Sequence, residues 1–431
     1  MRERVQRRGD DKLALPFSWQ IALWLLAAVA AAFISGGGLW WLLGRPDLTG
    51  PVESKDRLEL VKIALAVAAG TGGVIALVVA YRKQRLAEAS ERRESTRLFS
   101  ERFGKAVEQL GSDRAVIRLA GAYAMAGLGD DWVVGRQSCI DVLCGYIRMA
   151  WTPPSTQTAV ATDSHPSQAF ERADTQKDDA VHERQVRHTI LGLIAEHLRD
   201  TALVSWQGHD LDFTEAVLDG ADFTNVKFSG GKVTFTGARF VSGWVAFRDT
   251  EFSGADVTFT GAEFVSGRVD FAHAQFADGR VDFAGTEFSG GEVTFTDTAF
   301  TGGRVDFAGA EFSGGEVTFT DAKFTDPRFP RRTAGGSVTF TGARFTGTRV
   351  DFTGVEFSGG RIIFGGVEFS GGEVNFDGAM FTGGWVNFIG AEFSGGKVLM
   401  PNVDQLRWKP IFDRWTDGPP EGLVFSNPSN S

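Results

Sequence analysis

The chain has 431 residues, with 54 Gly, 37 Phe and a formal net charge of −10. That length leaves room for two or three domains. Residues 211–400 hold 25 acidic and 15 basic residues, so the whole net charge falls there and the remainder is balanced, which excludes a uniformly acidic chain.

Arg2, Arg4, Arg7, Arg8 and Lys12 make residues 1–16 a basic terminus. Phe17 to Leu43 is almost wholly apolar, and Val61 to Tyr81 is a second apolar run. Each is long enough to cross a bilayer core of about 20 residues. Arg82, Lys83 and Arg85 follow the second run, and the segment between the runs has mixed charge. The basic flanks predict an integral membrane hairpin with both ends cytoplasmic: span 17–43, an outside loop 44–58 and span 59–81. The length of the first run and the immediate second one argue against a cleaved signal peptide.

From Arg82 to Phe103 no Gly or Pro occurs, which predicts a polar helix leaving the membrane. Residues 82–151 read as this stalk plus helices, with Gly111-Ser112-Asp113 as a stop followed by an N-cap and a further helix over Ser138–Met149. Cys139 and Cys144 lie five apart, on different sides of a helix, and read as buried small residues in a reducing compartment rather than a redox pair or metal site. Residues 152–183 lack an apolar period and read as a disordered loop. Residues 184–205, with a helix over Val186–Leu198, complete a small helical domain.

Residues 206–400 repeat. Leu211-Asp-Phe-Thr-Glu, Ala216-Val-Leu-Asp-Gly, Ala221-Asp-Phe-Thr-Asn and Val226-Lys-Phe-Ser-Gly are consecutive five-residue units. In each, a small and a large apolar residue stand two apart, so both point inward from an extended side. Beyond Gly230 the period is twelve: phenylalanines from Phe235 to Phe324 are alternately five and seven apart, and Gly-Gly takes up the added residues. Such a period marks a solenoid. The expected coil is two 12-residue repeats on four sides; a flatter coil of one repeat is the alternative. At ~4.8 Å per coil the first gives a rod of roughly 40 Å. Stacked Phe and Val are core.

Phe324 and Phe340 are sixteen apart rather than seven, so nine residues are inserted. Asp326, Pro327, Arg328, Phe329, Pro330, Arg331 and Arg332 form a basic, Pro-stiffened candidate partner-binding loop, with a tolerated surface insertion as the bland reading. Residues 401–431 read as a cap and tail, Trp408, Ile411, Phe412 and Trp415 covering the last coil and Pro419 to Ser431 frayed.

The strings ERFGKAVEQLGSDRAVIRLAGAYAMAGL (101–128), DVLCGYIRM (141–149), VRHTILGLIAEHLR (186–199) and SWQGHDLDFTEAVLDGADF (205–223) resemble the membrane-anchored pentapeptide-repeat proteins of bacteria. The resemblance spans residues 17–400. It implies a right-handed coil with four five-residue sides. The expected fold is therefore α+β and multidomain: a two-helix transmembrane hairpin, a small α-helical domain and a C-terminal right-handed β-helix.

The six histidines, at 165, 182, 188, 197, 209 and 273, form no metal spacing, and no P-loop, Rossmann fingerprint, nucleophile elbow or CxxC is present. No catalytic residue, cofactor or metal is expected, and the repeated carboxylates read as solubility and edge protection. The expected function is a membrane-tethered, non-enzymatic scaffold in the plasma membrane, binding an unknown protein and no nucleic acid. The family resemblance supplies the alternative, a DNA mimic that binds type II topoisomerase. Duplex DNA carries about one charge per 1.7 Å, roughly 22 over 40 Å. The repeat region carries −10.

Overall fold

The computed structural model describes Trp41 and residues 54–154, 166–277, 279–325, 337–402, 406–416 and 418–426. The basic terminus, the first expected span apart from Trp41, most of the outside loop, residues 155–165 and the insert Asp326–Arg332 lie outside those residues. Two compact units are present, 1–98 and 99–431.

Helix α1 runs unbroken over Ser54–Leu110. Among the described residues no helix is long and apolar enough to cross a membrane. The second expected span falls inside α1, where Val74, Leu77, Val78, Val79 and Tyr81 are all exposed. The expected two-helix hairpin is thus not seen; only its second half lies in the described residues, as part of one long helix.

In the second unit α1 ends where Gly111 N–H bonds Val107 O. Helix α2 (Ala115–Asp131) starts from Arg114, whose N–H bonds Ser112 Oγ at 3.2 Å. The N-cap position is therefore one residue beyond the Ser112-Asp113 start expected. Helix α3 covers Arg136–Arg148 and α4 covers Pro166–Leu198. The last begins twenty residues before the expected Val186, inside the stretch read as irregular. Pro166 suits a first helical turn, and no Gly or Pro follows until Gly192. Met125, Cys139, Ile140, Leu143, Ile147, Val186, Ile190 and Ile194 close the helical core. Both cysteines are free and buried, because α3 is covered by α2, α4 and the first strand of the solenoid.

The solenoid is a right-handed coil of parallel strands, two or three residues long except for the last two, on four sides. Side one runs from Leu211–Asp212 to Trp385–Asn387, and side two from Val217–Leu218 to Glu392–Phe393. Side three runs from Ala221–Asp222 to Lys397–Pro401, and side four from Lys227–Phe228 to Met380–Phe381. Val233 pairs with Val257, and Val257 with Val281, so one coil is 24 residues and the flat alternative is excluded.

Four Phe ladders fill the interior. Phe240, Phe264, Phe288, Phe312, Phe345, Phe369 and Phe393 stack along side two. Phe259 and Phe271, from facing ladders, meet edge-to-face at 6.0 Å. Burying each ring contributes about 2–3 kcal/mol, and stacked or edge-to-face pairs add about 0.5–1.5 kcal/mol.

At the far end Phe412 continues a ladder on Phe388 at 4.9 Å, and Trp415 packs on Phe412. Trp408 and Ile411 are instead exposed, Ile411 contributing a backbone bridge to Asn387. The tail is not frayed where described: Leu423–Ser426 adds a ninth strand to side three. Alternating Leu423 and Phe425 face the core there, giving the strand an apolar side to bury.

Candidate functional site

A coil this tightly wound needs eight residues of special backbone in every two turns, and these determine what faces outward. One corner of each coil follows side one, where Gly237, Gly261, Gly285, Gly309, Gly342, Gly366 and Gly390 all have φ between 62° and 75°. The opposite corner, after side three, has Asn225, Asp249, His273, Asp297 and Asp321 at φ 55–59°, giving way to Gly354 and Gly378. Asn, Asp and His tolerate the left-handed region better than other side chains do. The sequence reading placed such backbone only at Gly-Gly and missed this second set. A fixed position alternating between Gly and Asn, Asp or His was the available signal.

On sides one and three the residue before the ladder Phe often carries a second unrecognised role. Asp270, Asp282 and Asp306 are buried, and each carboxylate accepts the N–H two residues on, at 2.9–3.0 Å. Thr234 and Thr294 accept the same bond through their hydroxyls at 3.3 Å. These side chains cap the corner turns. They are not solubility charges, as the sequence reading had it. The arginine two positions earlier lies on the same strand face and pairs with the carboxylate: Arg280 with Asp282 at 2.6 Å and Arg304 with Asp306 at 2.8 Å. These two neighbouring strands of side one are therefore charge-compensated within themselves.

Side two is different. Arg239 pairs with Glu263 at 2.8 Å and Arg344 with Glu368 at 3.2 Å. Between them Glu287 and Glu311 sit in direct register, and neither has an ion pair among the described residues. Like charges opposite one another on neighbouring strands destabilise a sheet. Glu287 and Glu311 thus form an acidic stripe on side two, bounded by Arg344 in register with Glu311.

The helical unit is joined to the first coil. Arg187 is buried and donates to Tyr146 O at 3.3 Å, Met149 O at 3.4 Å, Val217 O at 3.2 Å and Ile147 O, while lying over the Trp151 ring. Burial lowers its guanidinium below the usual arginine range, and the nearby Glu183, Tyr146 and Asp219 act in the opposite direction. Asp219, buried, receives Arg184 at 2.7 Å and His188 at 2.9 Å. Asp130 accepts Trp206 Nε1–H at 2.9 Å and faces His197, which stacks on Trp206 at 4.0 Å. None of these joints was read from the sequence, because charged residues on a helix look like solvated face.

The candidate loop Asp326–Arg332 lies outside the described residues, but its anchors are placed. Thr325 leaves side four after Lys323–Phe324, and Ser337 opens the next strand of side one. Among the described residues no group of His, Cys, Asp and Glu could hold a metal ion.

The geometry defines a β-solenoid protein with a helical N-terminal cap. The family model for pentapeptide repeats (9 copies) matches residues 213–263, the first two coils. No curated protein matches the chain.

Proposed function

We propose that this chain is a membrane-anchored, non-enzymatic scaffold of a bacterium that displays its acidic β-solenoid in the cytoplasm to a protein partner. The observation that carries this reading is the filled interior: Phe rings occupy the inside of every coil, so only outer faces remain for work. Repeat solenoids use such surfaces for binding. The stripe around Glu287 and Glu311 favours a basic partner. Exposed Val74, Leu77, Val78, Val79 and Tyr81 in α1 support the anchor, since an apolar run of this kind is unfavourable in water.

Two tests address it. The protein should stay in the membrane pellet through a carbonate wash, and a reporter fused at Ser431 should read cytoplasmic. A reporter signal from the far side would sink the topology. A purified 99–431 fragment should leave topoisomerase supercoiling unaffected at micromolar concentration. The arginines of side one and side two interrupt the negative field, which argues against a duplex mimic. Salt-sensitive inhibition would promote the DNA-mimic reading instead.

A further inference from the structure

Side one changes character at its far end. Along it, Asp212, Thr234, Asp282, Asp306, Thr339 and Asn387 each cap a corner by accepting the N–H two residues on, at 2.9–3.3 Å. Ile363 holds the same place, in register between Thr339 and Asn387, and has no side-chain acceptor. That corner forgoes a bond worth about 0.5–1.5 kcal/mol and presents a half-buried apolar side chain instead. Ile389, at the next corner, is 47 % exposed, and Ile411, in register with Asn387, is 37 % exposed. Three isoleucines thus gather where the earlier coils have Thr, Asp and Ala.

Arg361 opens the strand that Ile363 closes. It is exposed, its guanidinium lies over the Trp385 ring at 4.9 Å, and it has no ion pair among the described residues. Carboxylates of the neighbouring coils and sides are engaged elsewhere. Asp306 is held by Arg304, Glu368 by Arg344 and Asp413 by Gly390 N–H, while Glu356 is in register with Lys323. A guanidinium resting on an indole keeps its fork of donors in one orientation.

We propose that the last coils of side one bind a protein segment that has a carboxylate next to apolar residues. The carboxylate sits on Arg361, and the apolar side chains sit on Ile363, Ile389 and Ile411. The charge selects the partner, since a planar carboxylate matches the guanidinium fork in a bidentate pair. The isoleucines select against a bare anion, because covering them needs apolar surface. Arg361 and Ile363 stand two apart on one strand, about 6–7 Å. Side chains two apart in an extended segment, or three to four apart in a helical one, match that separation. A bilayer fits less well. Side two, which follows side one round the coil, presents Glu368 and Glu392 in register, and an anionic lipid surface would meet both. A segment narrow enough to lie on one side avoids them. This face differs from the Glu287–Glu311 stripe in place and in sign, and the inference depends neither on that stripe nor on the membrane reading.

The test passes the full-length protein, in detergent or in plain buffer as its solubility dictates, over immobilised short peptides. One set has a glutamate about 6–7 Å from leucines, in extended or helical spacing. Matched sets have glutamine or lysine in place of the glutamate. The glutamate set should retain the protein about tenfold better than either matched set, a difference of about 1.4 kcal/mol. Arg361→Gln should abolish that preference. Ile363→Thr should weaken retention several-fold yet leave the thermal midpoint unchanged or higher, because threonine restores the corner bond. A merely structural role for Ile363 would give the opposite pair of results. Arg280→Gln, on the same side but paired with Asp282, is the control and should bind as the parent does. Equal retention on the glutamate and glutamine sets, or retention indifferent to Arg361→Gln, overturns the proposal. Binding to phosphatidylglycerol vesicles that depends on Arg361, with peptide retention that does not, overturns it in favour of a lipid surface.

Discussion

Phe340 stacks on Phe307 at 4.8 Å with 4° between the ring planes, the same geometry with which Phe307 stacks on Phe283. The first pair is 33 residues apart and the second 24, so nine inserted residues leave the ladder undisturbed. Val305 and Val338 keep the same register. Deleting residues 326–334 joins Thr325 to Gly335 and restores the Phe-Thr-Gly-Gly corner that follows Phe300. The deletion should leave the thermal midpoint within about 2 °C of the parent by circular dichroism. A collapse of the fold would show that the insert is structural.

The rings are the stabilising element. Phe295 is fully buried between Phe271 at 4.8 Å and Phe319 at 4.7 Å. Phe295→Ala should cost about 3–5 kcal/mol in denaturant unfolding, and Phe295→Asp more. Glu287→Gln should be neutral or slightly stabilising, since it relieves like-charge repulsion with Glu311. Thr296→Asp, one residue on, should also lower stability, though less than Phe295→Asp, because the Thr296 hydroxyl bonds that of Thr294 at 2.8 Å.

Two glycines separate conformation from contact. Gly309 (φ 64°) has open space where a Cβ would stand, whereas a Cβ on Gly315 (φ 75°) would lie 2.3 Å from Gly291 O. Gly309→Ala should cost about 1–2 kcal/mol, the price of a left-handed alanine. Gly315→Ala should cost clearly more, because backbone must move. Equal losses would mean that corner contact is unimportant.

Arg187 serves as the keystone between the helices and the first coil. Arg187→Met removes one donor group from four carbonyls, each worth about 1–3 kcal/mol if left unsatisfied and sealed from water. Hydrogen exchange should rise in α3 and the first coil while amides near Phe295 stay protected. Uniform loosening of the whole rod would contradict a local joint.

Acid should act at the same end. Burial would raise Asp212, but bonds from Thr214 and the charges of Arg148 and Lys232 outweigh it and hold the carboxyl below its usual range. Glu251 is lowered by Ser253 and Lys227. Groups lowered on folding bind fewer protons than in the unfolded chain, so stability rises with pH across their titration. The contribution is full above about pH 4–5 and fades as pH falls through the folded values. Asp212→Asn should flatten that acid limb. The Cys139 and Cys144 thiols are pushed up to about 11 and about 12, chiefly by burial, and should resist alkylation at neutral pH until the chain unfolds.

The alternation of five and seven between phenylalanines made the four-sided coil legible, because an inward ring must recur once per side. The insert was legible as a break in that spacing. The left-handed column through Asp249, His273, Asp297 and Asp321 was not, since these residues also suit any exposed turn. Asp282 and Asp306 were misread because a carboxylate beside an arginine in a strand looks like surface charge, whereas each caps a corner. Arg187 was invisible for a related reason: its four acceptors come from segments up to 41 residues away in sequence. The early part of α4 carries no apolar period, so its helicity rests on Pro166 and on the absence of breakers.

The most direct test of the scaffold account is in-cell photo-cross-linking from a residue analogue placed at Glu287 or Glu311, with the cross-linked protein purified from membranes. The account predicts a discrete protein adduct at these positions that is lost when the neighbouring glutamate becomes lysine, with circular dichroism unchanged. Adducts that appear equally from the charge-compensated strands of side one, at Arg280 or Arg304, or that survive the charge reversal, would contradict it.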